Sequence, residues 1–151
     1  MIARRLDPSQ RPPVRLPAGA GLPPAKKARL ALEILFAYRF ARRELRASPI
    51  AEAVARLRSG RLVEAGSPAS LREARRLAAV VRRTLAPLPG DTRCLTQSLV
   101  LSRLLARRGI ASTLVIGASG VPEFGAHAWV EHDGEPLGVS DEWRYPRLVE
   151  L

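Results

Sequence analysis

Leu30, Ile34, Ala37, Ala41 and Leu45 recur at spacings of three and four, with Arg39, Arg42, Arg43 and Arg46 set between them. An apolar stripe at this period is a helix lying on a core, and it predicts a helix over 25–47. Ser48-Pro49 ends that helix and opens a second at about 50–58, because proline is pre-set in φ for a first helical position. Gly60 supplies its left-handed stop. Leu71, Ala74, Leu77, Val80 and Val81 mark a third helix over 71–85, with Ser70 and Glu73 placed as a capping box. Pro87-Leu88-Pro89-Gly90 breaks it. A fourth helix opens at Asp91 or Thr92, turns Leu95, Leu99, Val100, Leu104 and Leu105 inward, and runs to Arg108 with Gly109 as its stop. The apolar setting of Phe36, Tyr38 and Phe40 in the first helix marks them as core.

Beyond Gly109 the helical period gives way to strands. Ser112–Ile116 is a short β-branched run, Gly117–Pro122 a loop, and Gly125–His132 alternates in period two. Asp133-Gly134 is a strong hairpin signal before a third strand over Glu135–Val139. Helices first and a strand meander afterwards predict an α+β fold, with the helices packed on a small antiparallel sheet.

Composition narrows the class of protein. With 151 residues, 46% apolar, the chain can bury a core and is neither collagen-like nor wholly disordered. No stretch reaches ~18 uncharged apolar residues, so no membrane span is expected. Met1-Ile2-Ala3-Arg4-Arg5 lacks the apolar region of a secretory signal. The single cysteine excludes an internal disulfide, and two histidines with one cysteine do not make a Cys/His zinc site. The expectation is a cytoplasmic protein with no metal and no cofactor. Six of the thirteen prolines fall in residues 1–24, which read as an extended basic arm ahead of a helix-plus-sheet domain over 25–151 (helices 25–108, strands 110–151). The net charge of +11 is uneven: residues 1–47 hold 11 basic and 3 acidic side chains, whereas residues 92–151 hold 6 and 7. Such asymmetry marks either a face for an acidic partner or helices with solvated arginine faces. Nucleic acid is disfavoured, since stacking platforms need exposed aromatics and the chain has only three Phe, two Tyr and two Trp.

Cys94 and His127 carry the candidate chemistry. Cys94 falls in the first turn of the fourth helix, where unpaired N–H groups and the helix dipole favour an anion and hence a thiolate. The opposite reading, a buried cysteine filling space, applies to any lone cysteine. His127 shares one face of its strand with Trp129 and Glu131, while His132 points the other way, beside the turn, as a solvated residue. A helix-start cysteine with a strand histidine is the arrangement of Cys/His acyl transfer.

The segments Asp91–Gly109, Leu114–Gly117 and Ala126-His127-Ala128-Trp129-Val130-Glu131-His132-Asp133-Gly134 resemble, in order and spacing, the lasso peptide biosynthesis B2 proteins. These are transglutaminase-like cysteine proteases with a papain-like core that remove the leader from a lasso precursor, and the resemblance covers roughly residues 70–151. It implies Cys94 as nucleophile and His127 as general base. It also implies the precursor's leader region as substrate, a separate leader-recognition (RRE, B1-type) protein as partner, and the lasso cyclase as a further one. The stand-alone form is implied because residues 1–69 hold a proline-rich arm and helices where fused members carry a winged-helix module. In the family an acidic residue follows the histidine by twelve; here that position is Val139, with Asp141 two further on and Asp133 in the turn. Gln97 stands where the family often has a basic residue. A three-residue hairpin loop with a bulge at Gly134 would pair residue 131 with 135 and bring His127 opposite Val139, with Asp141 one diagonal step away. Asp141 is the expected third catalytic residue if the chain bends after Gly138; the alternatives are Asp133, or no acidic residue, with Asp141 capping the last segment and a backbone carbonyl or glutamine orienting the imidazole. The alternatives are acyl transfer to an amine by the same nucleophile, and nucleic-acid binding through the basic N-terminal region.

Overall fold

A computed structural model describes residues 23–58, 68–88, 94–120, 124–138 and 145–151. Its helices are α1 (Pro24–Ala47), α2 (Ile50–Arg58), α3 (Pro68–Leu85) and α4 (Cys94–Arg107). The strands β1 (Thr113–Ser119), β2 (Gly125–His132), β3 (Glu135–Pro136) and β4 (Arg147–Glu150) follow. They form an antiparallel sheet in the order β3-β2-β1-β4, so the α+β expectation holds. Among the described residues, no helix is long and apolar enough to cross a membrane.

The helical stripes bury as their spacing requires. Ile34, Ala37, Tyr38 and Ala41 of α1 join Ala74, Leu77 and Val81 of α3 in one core around α4. That helix contributes Leu99, Val100, Leu104 and Leu105, none of them exposed, and it packs on α1, α2, α3, β1 and β2. Gly109, at φ +68°, ends α4. Its N–H donates to the Ala106 carbonyl (3.0 Å) and that of Ile110 to the Leu105 carbonyl (3.0 Å), the paired bonds of a Schellman stop. This reversal feeds the chain directly into β1. At the α1–α2 corner Arg56 gathers the Glu44 carboxylate (3.1 Å), the Ser48 hydroxyl (2.7 Å) and the Glu52 carboxylate (3.1 Å). Glu44 thus stays paired although buried.

The structure corrects the sequence expectations at seven points. α3 starts at Pro68 rather than at residue 71, so Ser70 lies inside its first turn and is no cap. Its hydroxyl pairs instead with Nε2 of His132, 2.9 Å away. His132 is not a solvated turn residue: it is 1% exposed, and its Nδ1 donates to the Ala111 carbonyl at 2.6 Å. The hairpin has no bulge, because Asp133 (φ +51°) and Gly134 (φ +77°) form a two-residue turn that pairs Glu131 with Pro136. His127 is therefore not set opposite Val139 by this ladder, and β3 ends at Pro136 rather than at Val139. β1 continues through Ser119 where a loop was expected from Gly117, and the exposed strand β4 was not foreseen. Finally, Phe36 is 72% exposed rather than core; Tyr38 is buried and Phe40 half-buried. The expected stop at Gly60 and the arm up to residue 22 lie outside the described residues.

His132→Ala should lower stability by about 2–4 kcal/mol, through the void it leaves and the unpaired Ser70 hydroxyl and Ala111 carbonyl. Ser70→Ala should cost only about 1 kcal/mol. Urea unfolding of both variants checks the order, which reverses if the imidazole is not the anchor.

Candidate active site

Cys94 is the first residue of α4 and is half-buried. One turn on, the Ser98 hydroxyl donates to the Ala128 carbonyl at 3.0 Å and ties the start of α4 to β2. The reason lies in the sheet. The Val130 carbonyl accepts from the Leu137 N–H on the β3 side (2.8 Å), and carbonyls two apart point to the same edge. Among the described residues β3 ends at Pro136, and the Ser98 hydroxyl meets the Ala128 carbonyl at this edge. Beside this edge lies a cleft of ≈110 Å³ bordered by Cys94, Gln97, Ser98, His127, Trp129 and Leu137. Sequence reasoning placed Cys94 and His127 separately; the structure brings them to one cleft. Two larger hollows lie among α1, α3 and α4 and include neither residue.

His127 lies among aromatic rings. Trp129 stacks near it at 5.9 Å between centroids and 17° between planes, and Tyr145 lies at 5.5 Å and 32°. Trp129 is itself fixed, since its indole N–H donates to Oε1 of Glu131 at 2.8 Å. Arg147 of β4 bonds the other carboxylate oxygen of Glu131 and reaches Glu150 at 3.2 Å. The predicted shared face of His127, Trp129 and Glu131 is thus a linked chain that ends on Arg147. Tyr145 fits because His127 pairs across the sheet with Gly117. A Cβ on Gly117 would come within 2.9 Å of the Tyr145 Cβ and of the Tyr145 and Pro146 carbonyl oxygens. A Cβ on Gly125 would meet the Tyr145 ring at 3.2 Å.

Ser98, Tyr145 and Arg147 were not singled out from the sequence. The signal for Tyr145 was present, since glycine inside a strand often marks a close approach by other atoms. Ser98 is four residues after Cys94 and so on the same helix face. Asp141 lies outside the described residues, as do Asp91, Thr92 and Val139. Asp133 is exposed at the turn, with its carboxylate 3.6 Å from Nε2 of His132 rather than directed to His127.

A helix-start cysteine and a strand histidine bordering one cleft, with the helices before the sheet, is the layout of cysteine-dependent hydrolases and acyl transferases. The family model of the Transglutaminase-like superfamily matches residues 34–149, well over half the chain, and the chain belongs to that superfamily. No curated protein and no solved structure matches it.

Gly117→Ala should cost about 1–3 kcal/mol by overpacking against Tyr145 and Pro146. Loss of melting temperature together with a changed near-UV aromatic signal is the expected readout. An unchanged aromatic signal would mean that Tyr145 does not rest on Gly117.

Proposed function

We propose that the chain is a cysteine peptidase that removes the leader from a lasso peptide precursor, with Cys94 as nucleophile and His127 as general base. The observation that carries this reading is the meeting of Cys94 and His127 at one cleft of a transglutaminase-like domain. The lasso-specific part rests on the resemblance of the Asp91–Gly109 and Ala126–Gly134 segments to the B2 proteins. In this mechanism the His127 imidazole takes the Cys94 thiol proton and the thiolate attacks the scissile carbonyl. Backbone N–H groups at the start of α4 would receive the oxyanion. The imidazolium returns its proton to the departing amine, leaving a thioester. Water, deprotonated by His127, then attacks the thioester, and the leader departs as a carboxylate while the thiol is restored. The rings of Trp129 and Tyr145 limit the tilt of the imidazole, and Asp141 is proposed to orient it. A leader-recognition protein of the B1 type presents the precursor, and the cyclase receives the freed core peptide.

Acyl transfer to an amine is the second reading, favoured by the superfamily to which the chain belongs. Incubation with precursor peptides, with and without the recognition protein, followed by mass analysis, separates the two. A hydrolysed leader is expected, and an amine adduct would favour transfer. Cys94→Ala and His127→Ala should each lower turnover by about 10³-fold or more. His132→Ala should keep its rate per folded molecule. Asp141→Asn should cut turnover by about 10³–10⁴-fold if that residue orients the imidazole. A rate near that of the parent protein would leave a dyad.

A further inference from the structure

The two hollows on the helical side, ≈430 and ≈710 Å³, share Arg29, Glu33 and Arg107 and so form one groove across α1, α3 and α4. Its floor is apolar, with Leu30, Ala37, Leu77, Val80 and Leu104. Its walls carry Lys26, Arg29, Arg72, Arg76, Arg103 and Arg107. Of the carboxylates bordering it, Glu33 faces Arg108 at 2.9 Å and Arg107 at 3.8 Å, and Glu73 faces Arg108 at 3.8 Å; with two carboxylates against seven cations the wall keeps an excess of positive charge. Burial and the nearby Arg107 charge push the Arg103 guanidinium below the usual arginine range, against a smaller opposing pull from Glu44. Arg103 is stacked over the Phe40 ring, 4.2 Å from its centre. Beside them α1 presents Phe36, 72% exposed, and Leu32, 57% exposed, to solvent.

We propose that this groove docks an acidic peptide segment, bearing at least one large apolar side chain, of a separate protein partner. Carboxylates would meet the crowded arginines, and the apolar side chain would cover Phe36 and the floor. Other occupants fit less well. Residues 1–22 carry Arg4, Arg5, Arg11 and Arg15 against Asp7 alone, the same sign as the groove. A second copy would face arginine with arginine. A nucleic acid would satisfy the arginines but leave the apolar floor uncovered and set phosphates against Glu33 and Glu73, and one exposed Phe36 is no stacking platform. The 14 residues of α4 put Arg107 ~20 Å from Cys94, so a segment seated here leaves the cleft open to substrate. The groove's chemistry is independent of what Cys94 does.

The test is fluorescence anisotropy of the full chain with a labelled peptide of repeated Asp-Leu-Glu-Trp units. Binding that falls with salt is expected, as is no binding of the matching Lys-Leu-Arg-Trp peptide. Phe36→Ser and the double variant Arg29→Glu, Arg107→Glu should each weaken binding at least about tenfold, with helical circular dichroism unchanged. Absence of binding, or equal binding by the variants, overturns the proposal. So does a single-stranded oligonucleotide that binds more tightly and displaces the peptide, or self-association that Phe36→Ser abolishes. Cys94→Ala should bind the probe as the parent protein does, so the groove and the peptidase reading can fail separately.

Discussion

The hydrogen bond from Ser98 to the Ala128 carbonyl joins α4 to β2 beside the cleft that Cys94 and His127 border. α4 is buried against three helices on one side and reaches the sheet on the other, and Ser98 is where it bonds to β2. Buried between helix and strand, this bond has little competition from water, and a lost donor would leave the Ala128 carbonyl unpaired. Cys94 stands one turn before Ser98, and His127 one residue before Ala128. The relative placement of Cys94 and His127 thus depends on a contact that belongs to neither.

β2 works with both of its faces. Ala128, Val130 and His132 turn toward the helical core, while His127, Trp129 and Glu131 form the linked chain that ends on Arg147. A slip of one residue would exchange the two histidines, burying the cleft residue and exposing the anchor. His132, bonded to Ser70 on α3 and to Ala111 ahead of β1, resists that slip from two directions. Its conformity to a core position explains why only one histidine borders the cleft. The tight Asp133-Gly134 turn sets the same register from the end of the strand, since both of its residues take positive φ.

What could be read in the sequence was what is local and periodic. The stripes of α1, α3 and α4, the left-handed stop at Gly109 and the turn at Asp133-Gly134 each follow from neighbours a few residues apart. Cys94 and His127 could be singled out because each joins a reactive side chain to a defined place on its element, and both border one cleft. The failures share a cause. Ser70 obeys the local grammar of a cap, yet a bond to His132, 62 residues away, wins over it. β4 is four exposed residues with no inward stripe, and its existence depends on the free edge of β1. The aromatic neighbour Tyr145 depends on space left by Gly117, and only the fold brings those positions together. Phe36 was assigned to the core because it lies in an apolar run, but it falls outside the buried stripe of Ile34, Ala37, Tyr38 and Ala41.

The direction of α4 organises charge as well as packing. A helix presents a partial positive charge at its start and a partial negative charge at its end, so it favours anions at the first and cations at the second. Cys94 occupies the first position, and Arg107 and Arg108 gather at the second. The cations that complement the helix end draw Glu33 toward them and still exceed it, which leaves the groove electropositive. The separation of a basic surface from the cleft therefore need not come from two unrelated features. Both can grow from one buried helix whose ends must be satisfied by opposite charges, and whose length sets the distance between them.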